Sequence, residues 1–317
     1  MSWPSWFAAV RARLGDVRRV HFRVDAGRLP GLSFGHLERC LVFADLLRQT
    51  GAECRFFMRP IPEGVDRARA RGQDVTTLDG AWAGDFSRAD LLVLDLPYAP
   101  EPETVEACAR AGARAFLIDD SGRDLFPCEA VLDYSVLARP DMYPRARHRF
   151  LGPSYLMVDQ AFHELALNAA RGDGTIVVTL GGSDPTELTR KIVPVILARN
   201  LLESRVVAVL GPGFGPGEDL EAMARDSRGR LEVRRAPDAL LPLLAASSAV
   251  VCAGGKTLYE CLGLGRTVLA VASTGQEAEV IAAFLERGDL AAGLTAWDER
   301  LFAQSFNHVL RMIAHDA

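Results

Sequence analysis

The feature that most constrains the fold is a set of short runs built almost wholly of apolar residues: LLVLDL at 91–96, TIVVTL at 175–180, RVVAVL at 205–210 and AVVC at 249–252. A strand with one wet face alternates apolar and polar residues. A run that is apolar throughout is buried on both faces, as in a parallel sheet covered by helices. Helix-period segments lie between these runs, so the order is strand, helix, strand, helix, and the expected class is α/β. In such sheets ligands bind beyond the carboxyl ends of the strands.

The alternation falls into two series. In the first, an apolar run at 20–24 ends at Asp25, and a loop with Gly27, Pro30, Gly31 and Gly35 leads to a helix opened by His36, with Leu37, Leu41, Ala44 and Leu47 on one face. Strands are expected at 53–58, weakly at 74–78, at 91–96 and at 113–118, with a last edge strand at 130–132. Helices are expected at 62–71 and 102–111. Residues 134–172 break the pattern with Pro140, Pro144 and Pro153, although 155–170 reads as helical. The second series has strands at 175–180, 205–210, 231–233, 249–252 and 268–272, and helices at 186–200, 240–246, 256–264, 277–287 and 298–314. The predicted organisation is an N-terminal extension at 1–18, a Rossmann-like domain at 19–152, a linker at 153–172 and a second Rossmann-like domain at 173–317. The two parallel sheets are expected to face a central cleft.

Composition narrows the partners. The 317 residues are 49% hydrophobic, enough for a large core, and the net charge of −5 comes with no basic run suited to nucleic acid. Six cysteines form no CxxC pair, which reads as reduced, buried thiols in a cytoplasmic protein. The first 19 residues lack the apolar length of a signal peptide or membrane span and read as an added surface helix. No metal-ligand spacing and no cofactor motif are visible. Oligomeric state is not legible.

Three places carry chemistry. His36 stands where a strand, a glycine loop and a helix start coincide, and imidazole exchanges protons near neutral pH, so it is the candidate base. Asp25, Asp95, Asp119 and Asp120 stand at strand ends and are expected to face one cleft, with helix capping an equal alternative for Asp119 and Asp120. In AVVCAGGKTLYECLGLG, Gly254 and Gly255 let the backbone approach a ligand, and the helix from Lys256 presents N–H groups to a phosphate. Thr257 adds a donor and Lys256 a counter-charge, while Glu260 suits ribose hydroxyls. GGKT lacks Walker A spacing. GGSDP offers Gly182 and Ser183 to a phosphate, or Asp184 as an N-cap with Pro185 at the first helical position.

These segments, VHFRVDAGRLPGLSFGHLERCLVFADLL, LGPSYLMV, LGGSDPTELT and AGGKTLYECLGLG with a following Gln276, resemble in order and spacing the UDP-2,4-diacetamido-2,4,6-trideoxy-β-L-altropyranose hydrolases of pseudaminic acid biosynthesis. Those enzymes are related to the MurG-type glycosyltransferases of GT-B fold. The similarity covers roughly residues 19–288. It implies UDP held by Gly182, Ser183, Gly254, Gly255, Lys256 and Thr257, with Glu260 on the ribose and Gln276 near the sugar. It also implies a sugar held by Asp25, Gly35 and Tyr98. His36 would activate water at the anomeric carbon in a metal-independent, inverting hydrolysis. The chain departs from the family in a longer loop before Gly35, in Asp95-Leu96-Pro97-Tyr98 where the family has Asp-His-Tyr, in Asp159 where arginine is usual, and in Lys256 for serine. A glycosyltransferase using a UDP-sugar donor, or a binding protein without turnover, would share the UDP grip.

Overall fold

A computed structural model describes all residues except 1–3, 28, 30, 31, 33, 81, 169–171, 183, 200–203, 236–239, 316 and 317. The chain divides into two compact units, Met1–Gln160 and Ala161–Ala317. Each holds one wholly parallel sheet with crossover helices, joining every pair of successive strands in the second unit and only some in the first, so both are Rossmann-like α/β units.

In the first unit β1 (Arg19–Val24), β2 (Glu53–Met58), β3 (Asp74–Thr77), β4 (Asp90–Asp95), β5 (Arg114–Ile118), β6 (Cys128–Asp133) and β7 (Ala146–Leu151) lie in the order β3-β2-β1-β4-β5-β6-β7. Strand order reverses between β1 and β4, where Phe22 pairs with Phe56 on one side and Val93 on the other. In open α/β sheets such a reversal is where ligands bind, outside the carboxyl ends of the strands. Helix α2 (Gly35–Arg48) follows β1 and buries Leu37, Cys40, Leu41, Phe43 and Ala44. Phe43 centres an aromatic group, with ring centroids 6.1 Å from Phe22 and 5.2 Å from Phe116.

Helix α1 (Ser5–Leu14), expected as a surface addition, is docked into this core. Trp6, Phe7, Val10 and Leu14 are buried, and the Trp6 ring meets Phe43 edge-on at 5.7 Å. Its Nε1 donates to the Val158 carbonyl at 3.0 Å. The amphipathic pattern of α1 was legible; its partners, far along the chain, were not. Residues 153–160 fall in the first unit. The helix expected at 155–170 is a short 3₁₀ turn, Pro153–Tyr155, and a helix α5 (Gln160–Leu167). β7 lies outside the expected edge strand; along ARHRFL the more buried Ala146, His148 and Phe150 alternate with the more exposed Arg147, Arg149 and Leu151, as one-sided burial at an edge allows.

In the second unit β8 (Thr175–Thr179), β9 (Arg205–Leu210), β10 (Leu231–Arg235), β11 (Ala249–Cys252), β12 (Thr267–Val271) and β13 (Ala292–Leu294) lie in the order β10-β9-β8-β11-β12-β13. The reversal falls between β8 and β11, where Val178 pairs with Val251. The glycine loops GGSDP and AGGKT are therefore the two loops at this switch point. The core joins Val178, Val251 and Leu269 to Ile192 and Ile196 of α6 (Leu188–Leu197) and to Phe302 and Phe306 of α11 (Glu299–His315).

Candidate functional site

At the switch point of the first sheet, α2 and β4 bring His36 and Asp95 together. His36 Nδ1 lies 2.7 Å from Asp95 Oδ1. Asp95 is the last residue of β4 and is fully buried. Arg39, one turn after His36, donates to both carboxylate oxygens of Asp95, from Nε to Oδ2 at 2.5 Å and from Nη2 to Oδ1 at 2.6 Å. Its Nη1 donates to Asp120 Oδ2 at 2.8 Å, and its Nη2 lies 3.0 Å from His36 Nδ1. The His36 side chain is 13% exposed. Its Nε2 makes no hydrogen bond among the described residues.

The electrostatics follow. Burial opposes the Arg39 charge, but Asp95 overrides it and holds the guanidinium protonated well above its usual range. Burial would lift Asp120, and the Arg39 charge more than offsets it, lowering the carboxyl. Cys40, whose Sγ lies 3.7 Å from Asp95 Oδ2, is pushed well up by burial and then by the Asp95 charge. It is a protonated structural thiol, since thiolate is the reactive form.

The other strand-end acids differ. Asp25 is fully buried and engaged: Oδ1 accepts from the Arg59 backbone N–H at 2.6 Å and lies 2.8 Å from Arg23 Nη1. The Tyr98 hydroxyl donates to Oδ2, and the Arg59 guanidinium lies 4.5 Å from the Tyr98 ring centroid. Burial, then the bond to Asp25, raises the Tyr98 phenol. Asp25 and Tyr98 thus tie the loops after β1, β2 and β4 to one another. Asp119 is buried and accepts from the backbone of Ser121 and Arg123, from the Arg123 side chain and from the Tyr143 hydroxyl. No helix follows it. Asp120 belongs to the His36 cluster. Gly35 is exposed beside His36.

In the second unit Gly255 is exposed at the N-cap position of α9 (Lys256–Gly263), which no side chain caps. A Cβ on Gly255 would meet nothing within 4 Å, so this backbone is open to a ligand. Gly254 is glycine for another reason: a Cβ there would lie 2.7 Å from the Glu277 carbonyl oxygen, so it lets α10 (Gly275–Glu286) pack close. Thr257 is half-buried in the first turn of α9. Lys256 Nζ pairs with Glu260 at 2.8 Å, so the two residues assigned to phosphate and ribose first meet each other. Gln276 is exposed at the start of α10. Gly182 is exposed, and its carbonyl accepts from Gly213 N at 2.7 Å. Ser183 lies outside the described residues. Asp184 caps a helix as expected, but from farther back: its carboxylate accepts from Leu188 N at 2.9 Å and Thr189 N at 2.8 Å, so Pro185 is not the first helical residue.

Arg39 escaped the sequence reading, and Asp95 and Asp120 were not singled out as partners of His36. An arginine one turn after His36, with acids at the ends of apolar runs, was the available signal. Among the described residues no group of three or more His, Cys, Asp or Glu is placed to hold a metal ion. No described helix is long and apolar enough to cross a membrane.

The architecture is that of the GT-B glycosyltransferases. The chain superposes on Acinetobacter baumannii MurG with a TM-score of 0.62 at 13% identity, covering 93% of this chain and 92% of that one. It superposes on the spinosyn rhamnosyltransferase SpnG complexed with thymidine diphosphate with a TM-score of 0.59 at 16% identity, covering 93% and 92%. No family model matches the chain. In sequence it is 25% identical over 232 residues to the spore coat polysaccharide biosynthesis protein SpsG of Bacillus subtilis (strain 168), spanning 68% of this chain and 66% of that protein. It is also 26% identical over 127 residues to the uncharacterized protein MJ1062 of Methanocaldococcus jannaschii, spanning 26% of that protein's length.

Proposed function

We propose that the protein is an enzyme of polysaccharide biosynthesis that acts on a nucleotide-linked sugar, with His36 as the base that activates the attacking hydroxyl. The observation that carries this reading is the 2.7 Å contact between His36 Nδ1 and the buried Asp95 carboxylate. A carboxylate that orients one ring nitrogen leaves the other to take a proton. The attacking oxygen forms its bond to the anomeric carbon, its proton passes to His36 Nε2, and the bond to the diphosphate breaks with its electron pair leaving on the diphosphate. The diphosphate is assigned to the open backbone at Gly255 and the uncapped start of α9, where N–H groups and the helix dipole favour an anion. Thr257 and Glu260 are assigned to phosphate and ribose.

The attacking hydroxyl is assigned to a saccharide acceptor, which makes the enzyme a glycosyltransferase. Likeness to the spinosyn rhamnosyltransferase SpnG supports sugar transfer, and likeness to the spore coat polysaccharide biosynthesis protein SpsG supports a place in polysaccharide assembly. A second reading, hydrolysis of a UDP-diacetamido-trideoxyhexose by water, is supported by the order of the four loop motifs. UDP is the favoured nucleotide on the same motifs.

The test is diphosphate release from a panel of UDP- and dTDP-sugars, with and without saccharide acceptors. Release that requires an acceptor and is lost in His36→Ala supports transfer. Acceptor-independent release lost in the same variant supports hydrolysis. Release unaffected by His36→Ala refutes the role of the base.

A further inference from the structure

We propose that Arg39 is a positioning residue that fixes His36 in the Nδ1–H tautomer, so that the Nε2 lone pair is the one available to a substrate hydroxyl. The inference deepens the reading of His36 as a base and rests on it.

Two contacts compete at Nδ1: Arg39 Nη2 at 3.0 Å can donate only to a lone pair there, whereas Asp95 Oδ1 at 2.7 Å can accept a hydrogen from it, and the shorter contact, to an ionised oxygen, decides the tautomer. At 2.7 Å, Nδ1 and Asp95 Oδ1 must share a hydrogen, because two lone pairs at that distance repel. The hydrogen belongs to one side or the other. Arg39 donates to both Asp95 oxygens, at 2.5 and 2.6 Å, and this planar fork matches the ionised carboxylate. Asp95 therefore accepts, and Nδ1 carries the hydrogen. Asp95 is fully buried, and a buried carboxylate without a cation is driven to its neutral form. A neutral Asp95 would donate to Nδ1, and the ring would turn its lone pair inward as the Nε2–H tautomer, useless as a base toward substrate.

Asp120 completes the arrangement. It takes the third guanidinium nitrogen at 2.8 Å, which stops the fork from rotating off Asp95. The groups around the dyad come from four segments. They are Arg39 and Cys40 on α2, Asp95 at the end of β4, Asp120 after β5, and Tyr134 after β6, whose ring centroid lies 5.9 Å from the Arg39 guanidinium. Arg39 is the single cation among them.

The tautomer is read directly, without substrate, from long-range ¹H–¹⁵N spectra of the full chain labelled at histidine, recorded at a pH where the ring is neutral. The His36 signals are assigned by their loss in His36→Ala. The parent is expected to show Nδ1–H in at least about tenfold excess, the worth of one charge-assisted hydrogen bond. Arg39→Met is expected to lose that excess. Arg39→Lys, which keeps the charge without the fork, is expected to retain only part of it. If Arg39→Met does not fold, Arg39→Lys and Asp120→Asn carry the test, since each weakens the fork while leaving a cation. A parent in the Nε2–H form, or a tautomer ratio unchanged in every variant that folds, overturns the proposal. Because the spectra need no turnover, an inactive sugar panel with the expected tautomer would remove the proposed reaction and leave the role of Arg39 standing.

Discussion

Asp95→Asn separates what the carboxylate does for the fold from what it does for His36. The side chain is fully buried and receives two bonds from Arg39 and one from His36. The amide keeps the shape but not the charge, and can accept one Arg39 bond. Breaking a buried ion pair by removing one partner costs about 3–5 kcal/mol. The lower end applies here, because Arg39 keeps its 2.8 Å contact with Asp120, whose side chain is 34% exposed and solvated. A loss of about 3 kcal/mol moves the melting temperature of a unit of this size down by roughly 6–12 °C. The amide N–H₂ turned toward Nδ1 would also hold the ring in the wrong tautomer. Turnover should fall by about 10²–10⁴-fold, the range positioned acid–base catalysis supplies. Thermal and urea melts by circular dichroism, run beside the diphosphate-release assay, read the two effects separately. A variant that melts within about 1 °C of the parent, or that keeps the parent's turnover, refutes the reasoning, since 3 kcal/mol cannot hide in that interval.

Trp6→Ala should cost the first unit about 3–5 kcal/mol, through lost packing on Phe43 and a lost bond to Val158, and a urea midpoint equal to the parent's would show that α1 is not part of the core. Gly254→Ala places a methyl 2.7 Å from a backbone oxygen and should destabilise the second unit by about 1–3 kcal/mol. Gly255→Ala, in open space, should melt as the parent does while weakening UDP binding by calorimetry; the reverse pattern would exchange the roles of the two glycines. Burial lifts the Asp133 carboxyl to about 6, above its unfolded value, so the folded state keeps a proton that the unfolded chain sheds from near pH 4 upward. That stabilisation is complete at low pH and lost as pH rises through about 6. Asp133→Asn should therefore gain on the parent by up to about 3 kcal/mol between pH 4 and pH 7 in urea melts, and a constant difference would contradict it.

Much of the fold was legible because its signals are local. Short, β-branched, largely apolar runs such as TIVVTL and AVVC, closed by glycine loops, read as two-sided buried strands, and those loops marked the carboxyl ends. β7 was missed because an edge strand buries one face, and ARHRFL carries two arginines and a histidine among its six residues. The docking of α1 was missed because its partners, Phe43 and Val158, lie far along the chain. Gly254 was singled out for ligand approach; the structure shows that the close passage of Glu277 also requires a glycine there.

The sequence by itself determined the class, two parallel α/β units, and the helix start at which His36 stands. Periodicity and turn chemistry are properties of neighbouring residues. What His36 faces was decided only by tertiary structure. Arg39 reaches Asp95 across 56 positions and Asp120 across 81, and those meetings exist because β4 lies beside β1 and β5 beside β4 in the sheet. Lys256 and Glu260 show the same limit at short range. Their spacing permitted an ion pair, but whether each side chain turns to the other or to a ligand is set by the space around α9 and not by the letters.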